Sequence, residues 1–385
     1  MKALNFISTL DHGRGGHYYD LITITQELGK SIEVITVNIG INESEALNES
    51  NINLININYK GYNFIKVIIK LRNIIKKNNV SLINCYDIES YSFACILSLL
   101  IKLKVIYTKC GGANPIGYYP NFSNLIVMSD ENFSFFKKEK KYSSTNIALF
   151  PNRVGVLEKD DVRIRNILNK VPKNSKIFLR ISRITNYYTT TLKQTINLFN
   201  YLSKKNEDLF LIIIGVVQDK SLLEELKEMV LINNRVLFLN DDYYTLNASE
   251  LISISDVVVG TGRGIMEAAY FNKILLTPID GFKYPVLIEE QVFSQLFSTN
   301  FSPRNKLYNY NENNNLVNIE NVLLDPNKAE KNKRFIAKIF KKSFDIQTIN
   351  QDYIKFYNKS NFQKHSCYDL LRLFLSTFKK FVSLC

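Results

Sequence analysis

The stretch Asp256-Val257-Val258-Val259-Gly260-Thr261-Gly262-Arg263-Gly264-Ile265-Met266-Glu267-Ala268-Ala269-Tyr270-Phe271-Asn272-Lys273 decides how this chain is read. Residues 256–259 are a short run of β-branched side chains after an aspartate, the composition of a strand buried in a parallel sheet. Gly260, Gly262 and Gly264 alternate behind it, so the backbone can pass close to another surface. Over residues 265–271 helix formers and apolar side chains recur at helical spacing, with Glu267 in the first turn. A strand, a glycine loop and a helix N-terminus in succession make an anion site, because N–H groups without helical acceptors and the helix dipole point at the loop. A carboxylate one turn in is suited to accept hydrogen bonds from a ribose diol beside a bound phosphate. The combination predicts a nucleotide or nucleotide-sugar pocket. The alternative is a tight β–α turn in which Glu267 only complements the dipole. The dinucleotide fingerprint G-x-G-x-x-G is not met, since the last two glycines are two residues apart.

Outward from this stretch, strands and helices alternate along the whole chain. Residues 3–8 read as a strand, followed by Leu10-Asp11-His12-Gly13-Arg14-Gly15-Gly16-His17 and a helix over 18–28, a second strand–glycine loop–helix unit. Further strands are expected at 31–37, 52–57, 80–85, 104–108, 125–128 and 147–150, with helices over 64–77, 90–103 and 131–140. Phe150-Pro151-Asn152-Arg153 reads as a junction. The pattern then restarts with strands at 177–181, 209–214, 236–239 and 274–277 and helices over 190–204, 221–230 and 248–253. Residues 309–321 are Asn-rich and read as loop or frayed helix; 328–343, 349–357 and 367–384 read as helices. The fold class is therefore α/β, with two Rossmann-like doubly wound parallel-sheet domains whose glycine loops are expected to face a central cleft. Domains are placed at 1–150, at 151–345 and, as C-terminal helices packing back on the first domain or meeting a membrane, at 346–385.

Composition narrows the partners. The 385 residues are 46% hydrophobic and 22% charged, which describes a folded globular protein. The net charge of +13 favours anionic partners. No RNA- or DNA-binding motif accompanies it, so no nucleic acid is expected. Five cysteines without a C-x-x-C pair and three histidines argue against a disulfide framework or a metal centre and fit a cytoplasmic compartment. The opening ten residues are too short for a signal peptide, and the longest apolar run, 91–103, is too short to span a bilayer.

On these residues the sequence resembles the GT-B glycosyltransferases, and within them the family-4-like bacterial enzymes of surface-polysaccharide assembly (capsule, O-antigen). The resemblance covers most of residues 1–357 and is most specific in Ser255-Asp256-Val257-Val258-Val259 followed by Glu267-Ala268-Ala269. It implies that Glu267 binds the donor ribose and that Gly262, Arg263, Gly264 and Ile265 lie against the diphosphate. Arg183, at the end of Phe178-Leu179-Arg180-Ile181-Ser182-Arg183, is similar to the family's pyrophosphate arginine, and Gly16 to its N-terminal glycine at the donor phosphate. Phe150-Pro151-Asn152 resembles the interdomain hinge, with Arg153 in place of glycine. Three positions depart from the pattern: Val259 stands where the family has a second acid, Asn186-Tyr187-Tyr188 where a lysine follows the arginine, and Lys109-Cys110-Gly111 where it has a histidine.

The implied activity is transfer of a sugar from a nucleotide-sugar donor to a growing glycan or a lipid-linked acceptor, with no cofactor and no metal. Departure of the diphosphate needs positive charge, for which Arg183 and Arg263 are the candidates. An inverting enzyme also needs a general base, for which His17, Asp11 and Asp87 stand at strand ends of the first half, with His12 as a similar choice. Asp241-Asp242 reads as a solvated turn. Two alternatives stay open: a sugar-nucleotide epimerase resembling those that act on UDP-N-acetylglucosamine, and a non-catalytic nucleotide- or glycan-binding protein. The lysine- and aromatic-rich stretches at 133–141 and 367–384 fit either an anionic membrane surface, which would make the protein peripheral on the inner leaflet, or an ordinary solvated face. On the membrane reading, the last helix is expected to be removable without loss of the fold.

Overall fold

The structure is a computed structural model and describes residues 1–10, 13–231, 233–308 and 310–382. The chain divides into two compact units. One comprises Met1–Gly155 together with Ile346–Cys385, the other Val156–Asp345.

The first unit is built on seven strands: β1 (Lys2–Thr9), β2 (Glu33–Gly40), β3 (Leu54–Asn58), β4 (Leu82–Cys85), β5 (Lys104–Lys109), β6 (Asn124–Val127) and β7 (Asn146–Leu149). They pair in parallel in the order β3-β2-β1-β4-β5-β6-β7. Side chains along a strand alternate between faces, so a sheet covered on both sides needs apolar residues at odd and even positions alike. In β1, Leu4 and Phe6 enter one core with Tyr91 and Phe93, while Ala3 and Ile7 enter the other with Tyr18 and Tyr357.

The second unit holds β8 (Lys176–Ile181), β9 (Leu209–Ile214), β10 (Val236–Leu239), β11 (Val257–Val259), β12 (Ile274–Thr277) and β13 (Val286–Leu287). Their order is β10-β9-β8-β11-β12-β13, parallel throughout except that β13 runs antiparallel to β12. The opening stretch forms strand, loop and the helix Arg263–Tyr270 in succession.

Several expectations are corrected. Of the two readings of residues 309–321, helix holds from Glu312 onward: Asn311 caps the helix Glu312–Leu324 by accepting from the amides of Asn313 and Asn314. The segment 248–253 is a 3-10 helix, Ala248–Ile254. The helices Asp161–Leu168 and Glu290–Ser298 and the strand β13 had no counterpart in the sequence reading. The last helix, Cys367–Val382, is not a removable appendage, because Leu373 and Phe381 lie in the core of the first unit beside Tyr59 and Phe93.

Candidate functional site

In the second unit the strand order reverses between β8 and β11. Open α/β sheets bind ligands outside the carboxyl ends of their strands at such a point. β8 and β11 are neighbours, with Arg180 in register with Val259. Arg183, just past β8, and the loop 260–262, just past β11, therefore leave the sheet from adjacent strand ends.

Local geometry explains the glycines. Gly262 sits at φ +55°, ψ −131°, a conformation closed to side chains with a Cβ, and caps the helix Arg263–Tyr270. A Cβ on Gly264 would meet nothing within 4 Å, so the first turn is open above it. Ile265 is fully buried, and its amide donates to the Gly262 carbonyl at 3.2 Å. Its side chain lies under Gly260, where an added Cβ would come within 3.1 Å of Cδ1. Ile265 thus supports the loop from beneath. The segment that follows Glu290–Ser298 returns to this end of the sheet: the Asn300 carbonyl lies 3.9 Å from where a Gly262 Cβ would be. Asn300 and Phe301 both adopt φ +53°. Positive φ at a phenylalanine is a strained backbone, held here by the burial of Phe301 among Phe293, Phe297 and Phe344.

The charged residues of the stretch pair with each other. Arg263 Nε donates to Glu267 Oε1 at 2.7 Å, one helical turn apart, and the two side chains are only 10% and 13% exposed. The pairing fixes the direction of the carboxylate. Arg183 is exposed, has no carboxylate partner among the described residues, and lies over the Tyr188 ring at 5.7 Å. One feature was missed by sequence reasoning. Arg180 is fully buried in β8, donating to the Val259 carbonyl at 3.1 Å and to Thr191 Oγ1 at 3.0 Å. Burial pulls its guanidinium down to about 10, so it stays protonated at neutral pH. Asp241 and Asp242 are exposed at the start of the short helix Asp242–Thr245.

In the first unit the order reverses between β1 and β4. Gly16 is exposed at the first position of the helix Gly16–Gly29, and the half-buried His17 ring packs on Tyr18 at 4.3 Å. Asp87 caps the helix Ile88–Leu100: Oδ1 accepts from the Ser90 amide at 2.7 Å and Oδ2 from the Ser8 amide at 2.6 Å. Burial pushes its carboxyl up to about 7, and the charge of Glu89 adds to this, while the Ser90 and Ser8 bonds oppose it. Lys109 is buried and donates to the Gly111 and Gly112 carbonyls. Asn152, at the junction, donates to the buried Asp20 at 2.6 Å. Asp11 and His12 lie outside the described residues. Among the described residues no group of three or more His, Cys, Asp or Glu side chains is placed to hold a metal ion.

The structure thus gathers Arg183, Gly262, Arg263, Gly264, Ile265 and Glu267 at one end of the second sheet, and Gly16, His17 and Asp87 at the switch point of the first. Comparison with known proteins gives the fold. No family model matches the chain, and no curated protein matches it. Solved structures do. A glycosyltransferase from Rickettsia africae superposes with a TM-score of 0.67 at 15% identity, over 93% of this chain and 98% of that one. Anabaena HepE, solved with UDP and glucose, gives 0.67 at 17% identity, over 93% and 100%. The UDP-GlcNAc 2-epimerase of Neisseria meningitidis, bound to UDP-GlcNAc, gives 0.53 at 12%, over 94% and 100%. The fold is that of the GT-B glycosyltransferases, two Rossmann-like units in one chain, as the resemblance implied.

Proposed function

We propose that this chain is a glycosyltransferase that takes a sugar from a nucleotide-sugar donor and adds it to a growing glycan or lipid-linked acceptor of the cell surface. In this reading the second unit holds the donor and the first the acceptor. It works in the cytoplasm and without a metal. The observation that carries the proposal is the loop 260–264, which joins β11 to the Arg263–Tyr270 helix at the switch point, with the exposed Arg183 at the neighbouring strand end.

Each residue then has a task. Glu267, held by Arg263, accepts from the ribose hydroxyls. The amides of the first helical turn and the Arg183 guanidinium take the diphosphate, whose negative charge grows as the glycosidic bond to the donor breaks. Oriented charge of this kind acts before the reaction and needs no reorganisation during it. If the reaction inverts, His17, Asp87 or Asp11 takes the acceptor proton. Asp87 is suited by its raised pKa but already accepts two backbone amides. The fold likeness to an epimerase favours one second reading, conversion of a UDP-sugar with release of free sugar and UDP.

The test is a thermal-shift panel of UDP, GDP, CMP and their sugar conjugates on wild type and Glu267→Ala. A ligand bound only by the native state adds about 2.7 kcal/mol of stability at a hundredfold excess over Kd. One nucleotide is expected to raise the wild-type Tm and to raise that of the variant much less. No shift with any of them would remove the donor site and the proposal with it. Free N-acetylmannosamine and UDP from UDP-N-acetylglucosamine would move the assignment to the epimerase.

A further inference from the structure

Arg183 follows β8 on a backbone that is tied to its neighbour on both sides. The amides of Ser182 and Ile184 donate to the Ile214 and Val216 carbonyls at 2.9 Å each. The Ile184 carbonyl accepts in turn from the amides of Gln218 and Asp219, and the Ile184 side chain is fully buried. The Ser182 carbonyl lies so close to Gly215 that a Cβ added there would come within 1.8 Å of it. With the main chain fixed in this way, what is left to be placed is the Arg183 side chain. A long, exposed cation of this kind loses rotamer freedom when it binds an anion, and that loss weakens binding.

Tyr188 supplies a surface for it. The 3-10 helix Asn186–Tyr188 runs directly into the helix Thr189–Ser203. The half-buried Tyr188 ring packs on the core of the second unit, and its carbonyl accepts from Thr191 Oγ1 at 2.9 Å. The same Thr191 oxygen accepts from Arg180 Nη2 at 3.0 Å, so Arg180, Thr191 and Tyr188 form one connected column. The Tyr187 ring, 80% exposed, stands perpendicular to that of Tyr188 with centroids 4.9 Å apart. The Arg183 guanidinium lies over the Tyr188 ring, 5.7 Å from its centroid. A guanidinium resting on a ring uses its face and keeps the N–H groups along its edge for an anion.

We infer that Tyr188 is a positioning residue: its ring holds the Arg183 guanidinium in place at the carboxyl end of β8, ready for a diphosphate. That the anion is a diphosphate rests on the donor reading; that the ring orders the cation does not. The sequence gives the reason for such a device. Asn186-Tyr187-Tyr188 stands where the resembled enzymes have a lysine, and neither tyrosine brings a second positive charge. The chain instead gives its one cation on this loop a fixed direction, which lowers the entropy lost on binding. A tyrosine serving only to pack the core would leave a different signature, since its loss would act whether or not Arg183 were present.

The experiment is a double-mutant cycle on the full chain, read by calorimetric titration with UDP and with GDP and by side-chain NMR. Tyr188→Leu is expected to weaken the nucleotide that wild type binds by about two- to fivefold. Tyr188→Phe, which keeps the ring, should retain the wild-type affinity. In the Arg183→Gln background Tyr188→Leu should cause no further loss. The second readout needs no ligand: the Arg183 Nε–H resonance, assigned by its absence from Arg183→Gln, is shifted by the ring beneath it. That shift should persist in Tyr188→Phe and vanish in Tyr188→Leu. The inference is overturned if the resonance is the same in wild type and Tyr188→Leu, or if Tyr188→Leu weakens nucleotide equally with and without Arg183. If wild type binds neither nucleotide, the donor reading fails, and the resonance alone decides whether Tyr188 orders Arg183.

Discussion

Arg180 carries a full positive charge into the interior of the second unit, with no carboxylate among the described residues to meet it. Among the described residues its two partners are a backbone carbonyl and a hydroxyl, and Nε has no hydrogen-bond partner there. A buried charge so lightly compensated is costly, and an apolar side chain of similar volume is often as stable or more so. The cation donates to the carbonyl of Val259, the last residue before Gly260, and a diphosphate at that loop would gain from a fixed charge in a low-dielectric surrounding. Arg180→Met is therefore expected to leave stability to denaturant within about 1 kcal/mol of wild type, or above it. The same change should weaken a nucleoside diphosphate on the order of tenfold, corresponding to about 1.4 kcal/mol, and the parent nucleoside hardly at all. Urea unfolding with calorimetric titration of both ligands reads the two effects apart. A large loss of stability with unchanged diphosphate affinity would make Arg180 a packing residue. Nothing in the local pattern separates Arg180 from Arg183; both stand in one short basic-and-apolar stretch, residues 178–183. Only the register of β8 against β11 and the cover given by Thr191 show which one is inside. The Arg263–Glu267 pair, by contrast, follows from four-residue spacing on a helix and could have been read before the fold was known.

At the scale of the element, the loop and helix at 260–270 separate glycines that serve shape from glycines that leave space. Gly262 holds a backbone conformation that any Cβ strains, so Gly262→Ala should cost about 1–3 kcal/mol of stability. Gly264 is helical, and its missing Cβ faces open space, so Gly264→Ala should gain up to about 1 kcal/mol from helix propensity. If the open space is where the diphosphate lies, the same methyl group should abolish the nucleotide-induced Tm shift. A Gly264→Ala protein that is more stable and still binds nucleotide fully would place the anion elsewhere. Elements with strong periodicity or long β-branched runs were legible in the sequence, as the matching bounds of Phe64–Lys77 and Leu209–Ile214 show. Those that depend on partners were not. The two-residue strand β13 exists only because β12 offers an edge, and Glu312–Leu324 overcomes a run of poor helix formers through its Asn311 cap and the burial of Ile319, Val322 and Leu323. For the candidate site, the glycine loop was visible as a motif; the strained Asn300–Phe301 backbone beside it was not, because it is fixed by an aromatic cluster assembled from distant segments.

Over the whole molecule, the chain leaves the first unit after Gly155 and returns to it at Ile346. The returning segment fills the core and does not merely decorate it. Tyr353 and Tyr357 are almost wholly buried against the sheet. Asn84 of β4 donates to the Tyr357 hydroxyl at 3.1 Å, and the Phe150 and Tyr353 rings lie 4.6 Å apart. Leu373 and Phe381 close the opposite face. Removing one buried large aromatic side chain costs about 3–5 kcal/mol, and domains of this kind have about 5–15 kcal/mol in total. A chain ended after Asp345 loses Tyr353, Phe356, Tyr357 and Phe381 together, which exceeds what the first unit has to lose. The second unit, continuous from Val156 to Asp345, loses none of its own core. The truncated chain is therefore expected to keep about half of the calorimetric unfolding enthalpy of the full one, since that enthalpy scales with the number of folded residues. Limited proteolysis should degrade residues 1–155 while sparing 156–345. A truncated chain that unfolds with undiminished enthalpy per residue, and whose first 155 residues resist protease, would show that the first unit is complete without the segment that returns to it.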